Sequence, residues 1–221
     1  MIQDNQFFLF LSYFSALMLI LPLVLSFIRI KYLSINFKLI QIILVISFII
    51  ELYSFILINF YKTSNLLVYN AYIVIEGLLI CFFFIKSITL NDLMKYTSLF
   101  LMIIFLIVNT YEFSINNNKN INSISITSES IIVILLSILS FFFLLKNPIT
   151  YNILSLPFFW VNTGLLMYFS GNLFLPLFSA FLQQHALYTF YELWGLWHSL
   201  LNIFFYTLIS VGFWKTKTSQ I

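Results

Sequence analysis

Read along its length, the chain alternates long apolar stretches with short polar breaks. Seven stretches reach the roughly 18 residues that a membrane-spanning helix needs. They cover residues 7–27, 38–60, 66–85, 93–110, 123–145, 157–182 and 190–214. The breaks between them are brief and polar, at 30–36, 61–65, 86–92 and 146–148, and the longest is the asparagine-rich stretch 111–122. Neither a linker nor an internal repeat is evident. The pattern predicts an all-α fold, a polytopic bundle of seven transmembrane helices forming one domain over residues 1–221.

Composition agrees. Hydrophobic residues make up 62% of the chain, charged residues 8%, and mean hydropathy is +1.05. A soluble domain carries about 25% charged residues, so this chain could not cover a water-facing surface, and the lipid bilayer is its expected surrounding. A net charge of +3 gives no argument for nucleic acid. The one cysteine, Cys81, leaves no intramolecular disulfide and no thiolate cluster. The first apolar stretch lacks a preceding basic segment and a small-residue cleavage site, so it is expected to stay in the protein.

Cations set the expected orientation. With the N-terminus outside, the inner side holds Arg29, Lys31, Lys38, Lys86, Lys95, Lys146, Lys215 and Lys217, and the outer side only Lys62 and Lys119. Short loops follow the positive-inside rule best, which predicts an N-out, C-in topology. Only seven residues follow Trp214, so any output is expected through the membrane domain or a signalling partner.

An ionisable group near the bilayer centre costs roughly 2.5–3.5 kcal/mol on insertion scales and calls for a reason. Glu51, Glu76, Glu129 and His198 each lie in a different apolar stretch. At 1.5 Å per residue all four sit on the order of 10 Å below the expected outer helix ends. Their neighbours at spacings of three and four share their faces: Ser47 and Ser54 with Glu51, Tyr69 and Tyr72 with Glu76, Ser125 with Glu129, and Asn202 with His198. The sixth stretch adds Ser170-Gly171-Asn172 followed by Pro176, whose ring forfeits the bond to the Asn172 carbonyl. A helix broken at that depth is tolerated where the freed groups find partners or line a cavity.

No lysine or arginine lies deep in these stretches, so either the carboxyls carry protons or something positive joins them. Two arrangements satisfy that condition. One is a structural network of protonated Glu, His, Asn, Tyr and Ser that holds helices together. The other is an outward-open pocket for a small cationic ligand or protons, lined by Glu51, Tyr72, Glu76, Glu129, Asn172, His198 and Asn202. No two of these residues form a recognised metal-ligand spacing, so neither a metal nor another cofactor is expected. His185, in the turn Gln183-Gln184-His185, reads as a solvated loop residue.

Known seven-helix families narrow the choice. The last apolar stretch has no deep lysine for retinal, and Asn202 stands where membrane hydrolases of the ceramidase type have a second histidine in His-x-x-x-His. The motifs Asn70-x-Tyr72-x-x-x-Glu76, Glu129-Ser130, Pro157-Phe-Phe-Trp-Val-Asn162-x-Gly164, Tyr168-Phe-Ser-Gly-Asn172 and Trp197-His198-x-x-x-Asn202 through Gly212-Phe-Trp214 carry a different likeness. On them the chain resembles a family of small bacterial seven-helix integral membrane proteins without an assigned activity. That family is similar to membrane modules that precede some sensor kinases. The resemblance implies a receptor-like, sensory role. A small-solute or proton-coupled transporter is the alternative, and a membrane-embedded hydrolase the further one.

Overall fold

The structure, a computed structural model, describes residues 6–87, 92–116, 122–146, 152–177 and 187–216. Lys119, His185, Lys217 and positions 178–182 of the sixth apolar stretch lie outside the described residues. The helices are α1 (Gln6–Met18), α2 (Ile20–Ile28), α3 (Ile35–Ile56), α4 (Leu66–Ser87), α5 (Asp92–Asn116), α6 (Ser123–Lys146), α7 (Pro157–Asn172), α8 (Phe174–Leu177) and α9 (Leu187–Lys215). Among the described residues, six segments are long and apolar enough to cross a membrane: Phe10–Ile28, Ile35–Tyr61, Leu66–Ser87, Asp92–Ile115, Ser123–Lys146 and Gly195–Lys215. The fold is all-helical, as its periodicity requires, and its surface shows many large apolar side chains, such as Phe10, Ile28, Phe100 and Phe142. That is the surface of a multi-pass membrane protein.

Three boundaries differ from those read in the sequence. The first apolar stretch is two helices, because Pro22 has no N–H to offer the Met18 carbonyl, and the ladder breaks at Leu19. Helix α5 does not stop at residue 110 but runs to Asn116. Polarity marks where a helix leaves the apolar zone, whereas the helix ends where its hydrogen bonds do. Helix α3 closes with a π-helical turn, Leu57–Tyr61, and Lys62 ends it in the left-handed conformation (φ 53°).

Consecutive helices pack side by side: α3 on α4, α4 on α5, α5 on α6 and α6 on α7. Helix α9 closes the bundle against α7, α1 and α2, while α4 also reaches α6. The α7–α9 contact is close because glycines line it. A Cβ on Gly171 would fall 2.6 Å from Leu201, and one on Gly212 would fall 2.7 Å from Val161.

The alternating helix directions give the bundle two unlike ends. At one, Phe37, Phe83, Phe84 and Phe213 are buried, with Phe83 stacked on Phe158 at 5.7 Å and Phe37 edge-on to Phe213 at 6.0 Å. Arg29 lies over the Trp214 ring at 4.8 Å and Lys215 over Trp160 at 5.9 Å on that same side. The other end holds the intramembrane carboxyls.

Candidate functional site: a carboxyl- and tyrosine-lined cavity

A cavity of about 90 Å³ opens between α3, α4, α6, α7, α8 and α9. Glu51 and Ser47 come from α3, Tyr69, Tyr72 and Glu76 from α4, and Glu129 and Ser130 from α6. Tyr168, Phe169 and Asn172 come from α7, Pro176 from α8, and His198, Asn202, Phe205 and Tyr206 from α9. All seven residues singled out in the sequence therefore face one space. Among the described residues, helix α5 contributes none to its wall.

Their surroundings differ. Glu51 stands exposed at the rim. Glu76 is half-buried and accepts the Tyr72 hydroxyl at 2.7 Å; that hydroxyl lies 2.7 Å from Ser47 Oγ, which is 2.8 Å from the Ile43 carbonyl. A row of hydroxyls thus joins α3 to α4. Glu129 is 4% exposed, and its Oε1 has no hydrogen-bond partner among the described residues. It lies against Gly77, the residue after Glu76: a Cβ there would fall 3.2 Å from Glu129 Oε1 and 2.5 Å from the Phe105 ring. The missing side chain lets a carboxyl and a ring approach the α4 backbone.

The interrupted α7 builds the opposite wall. Pro176 cannot bond the Asn172 carbonyl, and the helix turns at Leu173 into the short α8. Trp197 Nε1 donates to the Gly171 carbonyl at 2.8 Å, which ties this break to α9. The Asn172 amide donates to the Tyr168 carbonyl at 3.1 Å, so its Oδ1 is the atom facing His198 Nδ1 at 3.2 Å. That network assigns the imidazole a proton on Nδ1. Tyr168 then lies at the centre of a ring cluster, with centroids 4.9 Å from Phe205, 5.2 Å from Phe169 and 6.0 Å from His198.

Another buried carboxylate has a different duty. Glu112 of α5, 3% exposed, accepts the backbone N–H groups of Ile124 at 3.0 Å and Ser125 at 2.6 Å. It caps the first turn of α6, where unsatisfied N–H groups and the helix dipole both favour an anion. The cap fixes the start of the helix that carries Glu129 a few residues on. In the sequence Glu112 falls in the polar stretch 111–122, and its role depends on a contact that only the fold creates.

Sequence reasoning also passed over Tyr168, Tyr206 and Phe205 as wall residues. The signal was present: 198, 202 and 206 fall at spacings of four, and Tyr168 precedes Asn172 by four. Chemically the wall offers carboxyl oxygens, phenols, an imidazole and aromatic faces, and no lysine or arginine among its described residues. No three His, Cys, Asp or Glu side chains among the described residues are grouped closely enough to hold a single metal ion. Compared with protein-family models, curated proteins and solved structures, the chain matches none.

Proposed function

We propose that this chain is a receptor-like sensory module of a bacterial inner membrane, whose outer-half cavity takes a small cationic ligand or protons. The observation that carries the reading is the convergence of Glu51, Glu76, Glu129 and His198, from four helices, on one cavity whose described wall has no lysine or arginine. Carboxyls withdrawn from water need a countercharge or a proton. A cavity that gathers them responds to whichever arrives.

The proposed topology has seven spans, N-out and C-in. The span added to the six, sixth in chain order, is α7 continued by α8, which from Pro157 to Leu177 covers about 30 Å at 1.5 Å per residue. The orientation is supported by Arg29, Lys31, Lys38, Lys86, Lys95, Lys146 and Lys215, all near helix ends opposite the cavity. A signalling partner, as in the membrane modules this chain resembles, would read the state of the bundle from that basic end.

The packed rings of Phe83, Phe84, Phe158 and Phe213 between the cavity and the basic end favour a receptor over a transporter. Asn202, one turn after His198, takes the position where a hydrolase of the ceramidase type has its second histidine. The test is a vesicle experiment with the purified chain and labelled methylammonium. A receptor gives saturable binding with no accumulation inside sealed vesicles. Accumulation driven by an ion gradient would make the protein a transporter and overturn the reading.

A further inference from the structure

Building on that receptor reading, we propose that the ligand is a small alkylammonium ion, held between the Glu129 carboxyl and an aromatic wall centred on Tyr168. Three features of the cavity point to this class over a bare metal ion or a proton.

The first is the condition of Glu129. It is 4% exposed, it lines the cavity, and its Oε1 has no hydrogen-bond partner among the described residues. A buried acceptor left unmet is costly, and more so when charged. Glu76 differs, since the Tyr72 hydroxyl already reaches it at 2.7 Å. Glu129 is therefore the buried carboxyl on this wall that no donor among the described residues meets, and an ammonium N–H at the carboxyl supplies both the donor and the countercharge.

The second is the aromatic content of the wall. Tyr69, Tyr72, Tyr168 and Tyr206, with Phe169 and Phe205, come from three helices to line one small space. Tyr69 and Tyr72 are paired at 6.3 Å and Tyr168 and Phe205 at 4.9 Å. Ring faces attract a cation through their quadrupole, most strongly when desolvated, and they also cover alkyl groups. A proton has no use for such a wall. A metal ion needs oxygen ligands converging within about 2.0–2.6 Å, and the acidic and imidazole groups described here do not form such a cluster.

The third is size. At about 90 Å³ the cavity is smaller than the roughly 150 Å³ that admits a benzene ring. That suits a small ion of four or five non-hydrogen atoms, such as propylammonium or tetramethylammonium.

The experiment uses the full chain in lipid nanodiscs at fixed pH and salt, followed by thermal unfolding and calorimetric titration. The probes are propylammonium, tetramethylammonium and uncharged 1-propanol, with a separate pH series. The expected result is saturable stabilisation by the ammonium ions and none by propanol. Glu129→Gln, checked for folding by its own melting curve, should weaken propylammonium binding at least about tenfold, since it removes a charge-assisted hydrogen bond. Tyr168→Leu should weaken it by about tenfold and Tyr168→Phe should not, because the ring face survives; this pair decides the matter even if Glu129→Gln does not fold. Propanol binding as well as propylammonium would overturn the ammonium assignment. So would a response to pH without one to ammonium, although the receptor reading would then stand with protons as the signal. A protein indifferent to every probe and to pH would lose both.

Discussion

The two ends of the bundle are built from the same helices and to opposite specifications. At the basic end Phe83, Phe84 and Phe213 are fully buried, and each ring meets another ring. At the cavity end Glu51 is exposed, Glu76 and His198 are half-buried, and Glu129 is buried with an oxygen unmet. One end gains from close packing. The other keeps polar groups that lipid and protein interior both penalise, together with a cavity that a folded core would normally fill. The difference separates residues that hold the bundle from residues that make it responsive, and it implies that substitutions at the two ends should trade stability against ligand response in opposite ways.

The largest effect belongs to the packed end. Phe83→Ala removes a ring stacked at 5.7 Å on Phe158 and edge-on to Phe84 at 5.3 Å. Truncating a buried phenylalanine typically costs 3–5 kcal/mol. A loss of about that size is expected in thermal or denaturant unfolding, with cation affinity of the surviving folded fraction unchanged. Should affinity fall in parallel with stability, the two ends are mechanically one unit and the division fails.

A middle effect is expected at Gly77, where the two kinds of region meet. A methyl group there would intrude on the Phe105 ring and on Glu129 Oε1. Overpacking of this sort costs about 1–3 kcal/mol. Gly77→Ala should therefore lower the melting temperature and also weaken cation binding, because the Glu129 carboxyl must move. Binding that survives intact would mean Glu129 is not where the ligand sits.

How far the sequence disclosed this division depends on contrast. A carboxyl group in an apolar helix stands out, so Glu51, Glu76, Glu129 and His198 could be picked by type and depth. Pro176 together with Asn172 marked the break that brings Asn172 against His198. The aromatic wall lacked that contrast: with 28 Phe and 13 Tyr in the chain, only the four-residue spacings to Asn172 and Asn202 set Tyr168 and Tyr206 apart, and nothing distinguishes Phe205 from rings that face lipid. Glu112 misled for another reason. Its polar neighbours suggested a loop, yet α5 continues past it, because its partners are the N–H groups of Ile124 and Ser125, 12 and 13 residues on. The apolar run 7–27 looked continuous, and a single proline split it. Helix existence follows from hydropathy, whereas capping, close glycine contacts and the facing of rings follow from tertiary neighbours.

The smallest effect should come from Glu76→Gln, and it tests the comparison most sharply. The contacts from the Ile43 carbonyl through Ser47 and Tyr72 to Glu76 number three, each 2.7–2.8 Å. Two hydroxyl hydrogens cannot serve three hydrogen bonds, so the row closes completely only when the group at position 76 also offers a hydrogen. A glutamine has an oxygen to accept from Tyr72 and an amide N–H to donate, and so can serve the row in either direction. The substitution keeps shape and hydrogen bonding while removing the ionisable group, and the expected change in unfolding free energy is below about 1 kcal/mol. A loss of several kcal/mol would mean that an ionised Glu76 holds α3 to α4. The cavity end would then be a structural network like its phenylalanine counterpart, and the reason for assigning responsiveness to that half of the molecule would be gone.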